Sequence, residues 1–229
     1  MNTAAYELEP VDALGPAGTD EVRRIYEGGF APHLRSGFAS LTTGREPGEV
    51  ALALVHGGQP RGFALLRPLG GTGWMFLRYL VVDQRVRGQG LGGIIWDRLV
   101  DRLRADGYTL LVFDVEDPGE PGCDPAEVRI RHRRIGFYER HGARLLPVQG
   151  YGNPHGDADG SSDQDWTPMR LMAAPVAAGT PAPGASEAPG IVAAVYRYRY
   201  RLDPGHHRVT ATRVTPDAGQ PAADDQKGL

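Results

Sequence analysis

The sequence has a single cysteine, Cys123, among its 229 residues. One thiol cannot form an intramolecular disulfide or a zinc site built from several cysteines. No apolar run approaches the about 18 residues that a membrane-spanning helix needs, and the first residues lack the basic end and apolar core of a signal peptide. We therefore expect a cytoplasmic protein without structural disulfides or a membrane span.

Lysine is almost absent as well, because Lys227 is the only one and arginine carries nearly all the positive charge. The formal net charge of -3 argues against a protein whose main role is to wrap nucleic acid. Residues 196–201 alternate tyrosine and arginine, a composition that base-stacking surfaces share. For this run we favour intramolecular packing or a homodimer contact over nucleic-acid binding.

Composition divides the chain into four segments. Residues 1–173 alternate apolar runs with turn signals and predict one globular domain. Residues 174–190 are rich in proline and alanine without a period, which is typical of a linker. Residues 191–214 predict a short hairpin or helix extension, because alternating and helical spacings are both present. Residues 215–229 predict a disordered tail.

The pattern within the first segment predicts a mixed α/β fold. Residues 50–82 contain three apolar segments separated by glycine pairs, which predicts an antiparallel meander. From Leu91 apolar side chains recur at helical spacing as far as Gly107, and the nearly continuous apolar strand 109–116 follows. Further predicted elements are a strand at 6–10, a helix capped by Thr19, a helix opened by Asp124 and Pro125, and strands at 143–148 and 167–173.

The most informative stretch joins the third meander strand to the helix that follows it. Gly88 and Gly90 lack a Cβ, so the backbone N–H groups around them can converge on one anion at the positive end of the helix. Arg87 beside them can add charge-assisted hydrogen bonds. The motif predicts a phosphate or diphosphate site, and a glycine turn without a ligand is the structural alternative.

A dinucleotide is one ligand that fits this motif. Gly88, Gly90 and Gly93 satisfy a G-x-G-x-x-G pattern, and Asp114 lies 21 residues further on, where a ribose-binding acid is found. That fingerprint needs its first glycine directly after the strand, whereas residues 83–87 intervene here. The antiparallel start of the domain also differs from a doubly wound fold, so an NAD-type enzyme stays a remote alternative.

An acyl-CoA is the second ligand that fits. Leu80-Val81-Val82, a polar loop and Arg87-Gly88-Gln89-Gly90-Leu91-Gly92 resemble the pyrophosphate-binding signature of the GNAT superfamily of N-acyltransferases. Residues 134–143, which include Tyr138, resemble the tyrosine-bearing fourth helix of that family. Arg131 departs from the pattern, because many members carry an asparagine there. The resemblance covers about residues 6–173.

This resemblance implies a GNAT-like, splayed and largely antiparallel seven-stranded sheet with about four flanking helices. Acetyl-CoA would be the co-substrate, and backbone groups near Leu80 and Val82 would pair with its pantetheine arm. The diphosphate would lie in a nest of backbone amides formed by Arg87, Gly88, Gln89, Gly90, Leu91 and Gly92. An amine would attack the thioester directly, with no covalent acyl-enzyme.

Such an attack needs a proton acceptor and a proton donor. An alkylammonium has a pKa of about 10.4, so it must lose a proton before it attacks. Members of the family with a glutamate on the fourth strand have no counterpart here, because residues 74–82 contain no carboxylate. Glu116, which shares a strand face with Asp114, is the candidate base or water-orienting group, and a polar turn is its structural alternative. Tyr138 is the candidate acid for the leaving thiolate, and a core tyrosine is its alternative.

Acidic residues near the expected mouth of the site favour a cationic small-molecule amine as the acceptor. Asp157, Asp159, Asp163 and Asp165 lie in the long segment 148–166, whose spacing does not match a calcium loop, and we expect no metal site. Two further hypotheses remain open. The protein could be a non-catalytic sensor that binds acyl-CoA, or an acyltransferase whose donor is an acylated carrier protein.

Overall fold

A computed structural model describes residues 5–30, 32, 35–154 and 166–215 of the chain. None of the helices in that part of the chain combines the length and the apolar character that a bilayer crossing requires. The buried apolar side chains form three clusters on the two faces of one large sheet. These clusters fix the position of the site described below.

The chain alternates strands and helices as a mixed α/β fold does. The strands are β1 (Tyr6–Pro10), β2 (Val50–His56), β3 (Gln59–Pro68), β4 (Trp74–Val82), β5 (Leu110–Glu116), β6 (Arg144–Leu145), β7 (Val148–Gln149), β8 (Gly152–Pro154), β9 (Trp166–Pro175) and β10 (Arg213–Val214). The helices are α1 (Pro16–Gly29), α2 (Phe38–Thr42), α3 (Leu91–Ala105), α4 (Pro125–Arg140), α5 (Ala188–Ala194) and α6 (His207–Ala211). Short 3-10 helices span Val11–Ala13 and Gln84–Val86, and α5 continues as a π-helix over Val195–Arg199.

The main sheet contains eight strands in the order β1-β2-β3-β4-β5-β9-β6, with β8 paired to β9. Every pair in this sheet is antiparallel except β4 with β5, which is parallel. A parallel pair needs a crossover connection, and α3 supplies it. The predicted fold class and the largely antiparallel sheet are confirmed. The sheet has one strand more than the seven predicted, because β8 adds to the edge of β9.

Helices α3 and α4 cover one face of the sheet. Apolar side chains of both helices are buried there against alternate residues of β5, among them Leu111 and Phe113. The intervening residues Leu110 and Val112 are buried on the opposite face. Both faces of β5 are therefore covered, which explains the nearly continuous apolar run of this strand.

The opposite face is covered in two places. Helices α1 and α2 pack over β2, β3 and the end of β4, where Tyr26 and Phe63 are fully buried. The C-terminal segment, which comprises residues 188–214, packs over β5 and β9. Its residues Ile191 and Val195 are 0% exposed and belong to the same cluster as Phe76. The C-terminal segment is thus an integral part of the core.

The C-terminal segment is helical where a hairpin or a helix was predicted. Within the run of tyrosines and arginines, Tyr196 is buried and Arg197 is exposed, because the side chains follow helical periodicity. The segment ends in β10, which pairs with β7 in a separate two-stranded sheet. The predicted tail beyond residue 215 lies outside the described residues.

One predicted helix was wrong in its bounds, and another helix was not predicted. Helix α1 begins at Pro16 after Gly15 and not at the predicted cap Thr19, because proline at the first helical position presets φ. Helix α2 was not predicted, since its five residues are too few for a periodic pattern.

Candidate active site

Strands β4 and β5 separate after three residue pairs. They are paired only from Trp74–Leu110 to Phe76–Val112, whereas β4 stays paired with β3 and β5 with β9. Arg78 has no partner on β3 because the register shifts there, and such a bulge bends a strand. A cavity of about 430 Å³ lies at the splay, lined by residues 76–82 and 113–116. The free edge of β4 can therefore pair with an extended ligand.

The glycine nest lies at the start of α3, beside this cavity. Gly88 has φ +79° and Gly90 has φ +74°, which is the left-handed region that favours glycine, and a Cβ at either would meet open space. Within the described chain no backbone amide of residues 88–92 donates to a backbone carbonyl, and no side chain caps α3. Arg87 lines the cavity next to them. These open donors at a helix start fit the diphosphate of an acyl-CoA.

Asp83 anchors the loop that leads from β4 into the nest. Its buried carboxylate accepts hydrogen bonds from the backbone N–H of Arg85 at 3.1 Å and from the Arg85 guanidinium at 2.8 Å, and it forms an ion pair with Arg24 at 2.8 Å. Burial raises the pKa of Asp83, but the hydrogen bonds from Arg85 and Arg24 lower it by a larger amount, and the resulting pKa is about 2. The carboxylate is therefore ionised at neutral pH and holds the loop in place.

Tyr138 of α4 belongs to the core and also lines the cavity. Its ring centroid lies 4.4 Å from that of Phe113 and 5.2 Å from that of Trp96. Burial raises the pKa of Tyr138 to about 12, against the opposing charge of Arg134. The hydroxyl is therefore protonated throughout the neutral range, as a proton donor must be.

Glu116 lies in the cavity wall at the end of β5 and forms an ion pair with Arg134 of α4. A guanidinium in contact with a carboxylate occupies its oxygens. The sequence did not indicate this pair, because Arg134 lies 18 residues away on a separate element. The ion pair leaves fewer of the oxygens of Glu116 free to contact a substrate.

Asp114 lines the same cavity two residues earlier on β5. Its Oδ2 atom accepts hydrogen bonds from the hydroxyls of Tyr151, at 3.0 Å, and Tyr200. Burial raises the pKa of Asp114, and the hydrogen bond from Tyr200, the charge of Arg199 and the hydrogen bond from Tyr151 oppose that rise. A carboxylate with a raised pKa is a better proton acceptor than an ordinary aspartate.

Tyr200 and Arg199 are cavity residues that the sequence analysis did not identify as part of the site. Both lie at the end of the π-helix in the C-terminal segment, and both line the cavity. The only signal in the sequence was the alternation of residues 196–201, which shows an unusual surface but not what it contacts. A π-helix at this position is consistent with the use of such turns at functional sites.

Other residues considered from the sequence lie elsewhere. Arg131 is ion-paired with Glu120 at 2.5 Å and donates a hydrogen bond to the carbonyl of Asp117 at 2.6 Å. Its guanidinium therefore binds the loop before α4. The acidic residues Asp157, Asp159, Asp163 and Asp165 lie outside the described residues. Within residues 5–154 and 166–215, apart from the gaps given above, no group of three or more histidine, cysteine, aspartate or glutamate side chains could hold a metal ion.

A mixed sheet that splays at its parallel pair, with a glycine nest opening the crossover helix, is the architecture that the acyltransferase resemblance predicts. The model of a family described as the acetyltransferase (GNAT) family matches residues 19–143, which is more than half of the chain. The chain therefore belongs to the GNAT acetyltransferase family and is an acyltransferase. The dinucleotide interpretation of Gly88 and Gly90 is wrong, because β1 to β4 are antiparallel and not doubly wound.

Solved structures support the fold. A GNAT-family protein from Bacteroides thetaiotaomicron is similar over 86% of this chain and 99% of its own, with a TM-score of 0.62 and 20% identity. The ribosomal-protein-S18-alanine N-acetyltransferase from Escherichia coli is similar over 76% of this chain and 96% of its own, with a TM-score of 0.53 and 16% identity. The aminoglycoside 6'-N-acetyltransferase from Enterococcus faecium is similar over 77% of this chain and 98% of its own, with a TM-score of 0.52 and 17% identity. Among curated proteins no sequence matches this chain.

Proposed function

We propose that this acyltransferase moves an acetyl or other short acyl group from acyl-CoA to a primary amine of a small molecule. The observation that carries the proposal is the splay between β4 and β5 beside the open glycine nest of residues 88–92. When bound, acyl-CoA supplies the acyl thioester. The backbone near Leu80 and Val82 pairs with the pantetheine arm, and residues 87–92 bind the diphosphate.

The reaction balances without a covalent enzyme intermediate. The amine nitrogen forms a bond to the acyl carbon, and the bond from that carbon to the CoA sulfur breaks. We propose Tyr138 as the acid that protonates the leaving sulfur, because its hydroxyl stays protonated and its side chain lines the cavity. The products are an amide and the free thiol.

The base that takes the proton of the amine is one of the two carboxylates on β5. Glu116 was the candidate from the sequence, and its ion pair with Arg134 favours the water-orienting part of that role. Asp114 has the raised pKa and lies in the same cavity. We therefore propose Asp114 as the proton acceptor and Glu116 as the group that orients water.

Two measurements on the full chain test this function. Calorimetric titration with CoA and with NAD in parallel establishes the ligand class, and we expect binding of CoA only. Release of thiol from acetyl-CoA in the presence of an amine panel then separates an enzyme from a non-catalytic sensor, which would bind CoA without turnover. Substitution of an acylated carrier protein for acetyl-CoA identifies the donor. Failure to bind CoA at saturating concentration would overturn the proposal.

A further inference from the structure

Three arginines in the cavity wall have hydrogen-bonding capacity that the protein does not use. Arg35, Arg78 and Arg199 all line the cavity. Each has one buried side-chain nitrogen without a hydrogen-bond partner among the described residues: Nη1 of Arg35, which lies 3.8 Å from a carboxylate oxygen of Glu27, Nε of Arg78 and Nε of Arg199. Because buried polar groups are hydrogen-bonded in the great majority of cases, three such donors around one cavity point to a ligand that accepts hydrogen bonds.

Arg199 is the best placed of the three. Its guanidinium carbon lies 4.8 Å from the ring centroid of Tyr200 and 6.0 Å from that of Phe76. Ring contacts of this kind use the flat faces of a guanidinium and leave its in-plane N–H groups for a ligand. In the described part of the chain no carboxylate lies within ion-pair distance of Arg199.

The wall around Arg199 contains further charged groups. Glu49 is a buried carboxylate that pairs with Arg78 at 2.6 Å and lies 3.7 Å from Arg67. Burial lowers the pKa of Arg67; the charges of Glu49 and Glu46 oppose that shift, and the charges of Arg199 and Arg78 add to it, so the three arginines are close together. An anionic group in the cavity would relieve this repulsion.

Two of the arginines lie in or next to elements that pack on the sheet face opposite to α3. Arg35 follows α1 and Arg199 ends the π-helix of the C-terminal segment, and both of those elements pack on the face opposite to α3. The nest at the start of α3 is the predicted site of the diphosphate. Arg35, Arg78 and Arg199 are therefore not needed to bind that group. Asp114 also lines the cavity, and Tyr200 links it to the C-terminal segment.

We propose that the acceptor is a primary amine that also carries a carboxylate or phosphate group. Arg199 and Arg78 bind the anionic group while the amine lies at Asp114. This inference rests on the proposed function and changes its acceptor, because the sequence had favoured a purely cationic amine. It also gives the C-terminal segment a binding role, since this segment supplies Arg199.

Matched acceptor pairs test the inference in the thiol-release assay. Each α- or ω-amino acid is compared with its carboxamide, so that charge changes and size hardly does. Phosphoethanolamine is compared with ethanolamine, which lacks the phosphate group. Spermidine is the cationic comparison. We expect kcat/KM for at least one anionic member to exceed that for its neutral partner by about 10-fold or more. The carboxylate and phosphate arms identify which anion the site takes.

The variant Arg199→Gln is compared with Arg197→Gln, a matched control on the exposed side of the same helix. Arg199→Gln should lower kcat/KM for the anionic amine by about 10-fold more than it lowers kcat/KM for the neutral partner, whereas Arg197→Gln should change neither. Thermal shift with inorganic phosphate and with glutarate, at constant ionic strength, gives a second readout: wild type should be stabilised more than Arg199→Gln.

The outcomes separate the two proposals. If CoA binds and amines are acetylated without regard to charge, or spermidine is preferred, the inference on the acceptor is overturned and the proposed function stands. If no amine is acetylated, the thermal shifts decide: equal stabilisation of wild type and Arg199→Gln overturns the anion site. If CoA does not bind, the proposed function itself fails.

Discussion

The hydroxyl of Tyr200 donates a hydrogen bond to the carboxylate of Asp114, 86 residues earlier in the chain. This bond links the C-terminal segment to β5 at the point where the sheet opens. Tyr151 donates to the same carboxylate oxygen from the segment between β7 and β8. The acceptor side of the cavity is therefore complete only when the C-terminal segment is packed on the sheet.

We expect the acid limb of the pH–rate profile to report Asp114. Its pKa is raised, and a base must be ionised, so kcat/KM should fall as the pH drops through that raised value. Tyr200→Phe removes a hydrogen bond that lowers this pKa, so the limb should move to higher pH. Asp114→Asn should lower kcat by about 100-fold or more. Glu116→Gln is the comparison, and an acid limb lost in that variant instead would make Glu116 the base.

Asp114 also predicts a pH-dependent stability. A folded-state pKa above the unfolded value means that the favourable contribution is complete below about pH 4 and is lost as the pH rises through the folded pKa. Asp114→Asn should therefore raise Tm relative to wild type at pH 8 by more than it does at pH 4. Melting curves of both proteins at the two values check the sign. An equal difference in Tm at both pH values would show that folding does not raise the pKa of Asp114.

We expect the opposite pH dependence of stability for Asp83. Its pKa of about 2 lies below the ordinary value of 3.8, so its contribution is present above about pH 4 and is lost as the pH falls through 2. We expect Asp83→Asn to reduce the free energy of unfolding at pH 7 by about 1–2 kcal/mol, since the exposed partners Arg24 and Arg85 are partly screened. Urea unfolding at pH 7 and at pH 2.5 measures the difference, which should shrink at the lower pH.

The part of the fold that could be predicted from the sequence is the part that local patterns determine. The bounds of β2 and β4 follow from apolar runs bounded by turns, and α4 begins at Pro125 where its cap predicts. The Asp124 side chain accepts a hydrogen bond from the backbone N–H of Ala126 at 2.7 Å, which is local chemistry that a sequence displays. The nest around Gly90 was found for the same reason.

The acceptor side could not be predicted, because it depends on contacts between distant residues. Phe76 and Leu171 form the surface that receives Ile191 and Tyr196, and no spacing in the sequence reveals that these residues meet. An alternating run such as 196–201 fits a strand, a surface or a helix equally well until its partner is known. The partners of Glu116 and Asp114, which decide their chemistry, come from α4 and the C-terminal segment in the same way.

The packing of the C-terminal segment gives a stability prediction. Ile191 is 0% exposed, so Ile191→Ala should lower the free energy of unfolding by about 2–4 kcal/mol through lost burial and an unfilled cavity. Arg197→Ala on the exposed side of the same segment should cost less than about 0.5 kcal/mol. Chemical denaturation measures both. If Ile191→Ala leaves stability unchanged and Arg197→Ala removes retention of an oligonucleotide, the segment is a nucleic-acid surface after all.

Tyr138→Phe separates a catalytic tyrosine from a structural one. The ring stays packed against Phe113 and Trp96, so stability should hardly change, whereas loss of the hydroxyl should lower kcat by about 10-fold or more. Binding of CoA, measured by calorimetry, serves as the control for an intact cavity. A variant that turns over at the wild-type rate would leave Tyr138 as a core residue only.

The glycine nest allows a matched comparison between the two ends of α3. Gly90 precedes the helix at φ +74° and Gly107 follows it at φ +83°, and a Cβ at either would meet open space. Alanine at either position should cost about 1–2 kcal/mol of stability, because the left-handed conformation is unfavourable for a residue with a Cβ. Only Gly90→Ala should also raise the Kd for CoA, by about 10-fold or more, because only that end carries the open amides. Equal affinities in the two variants would place the diphosphate elsewhere and remove the basis of the proposed function.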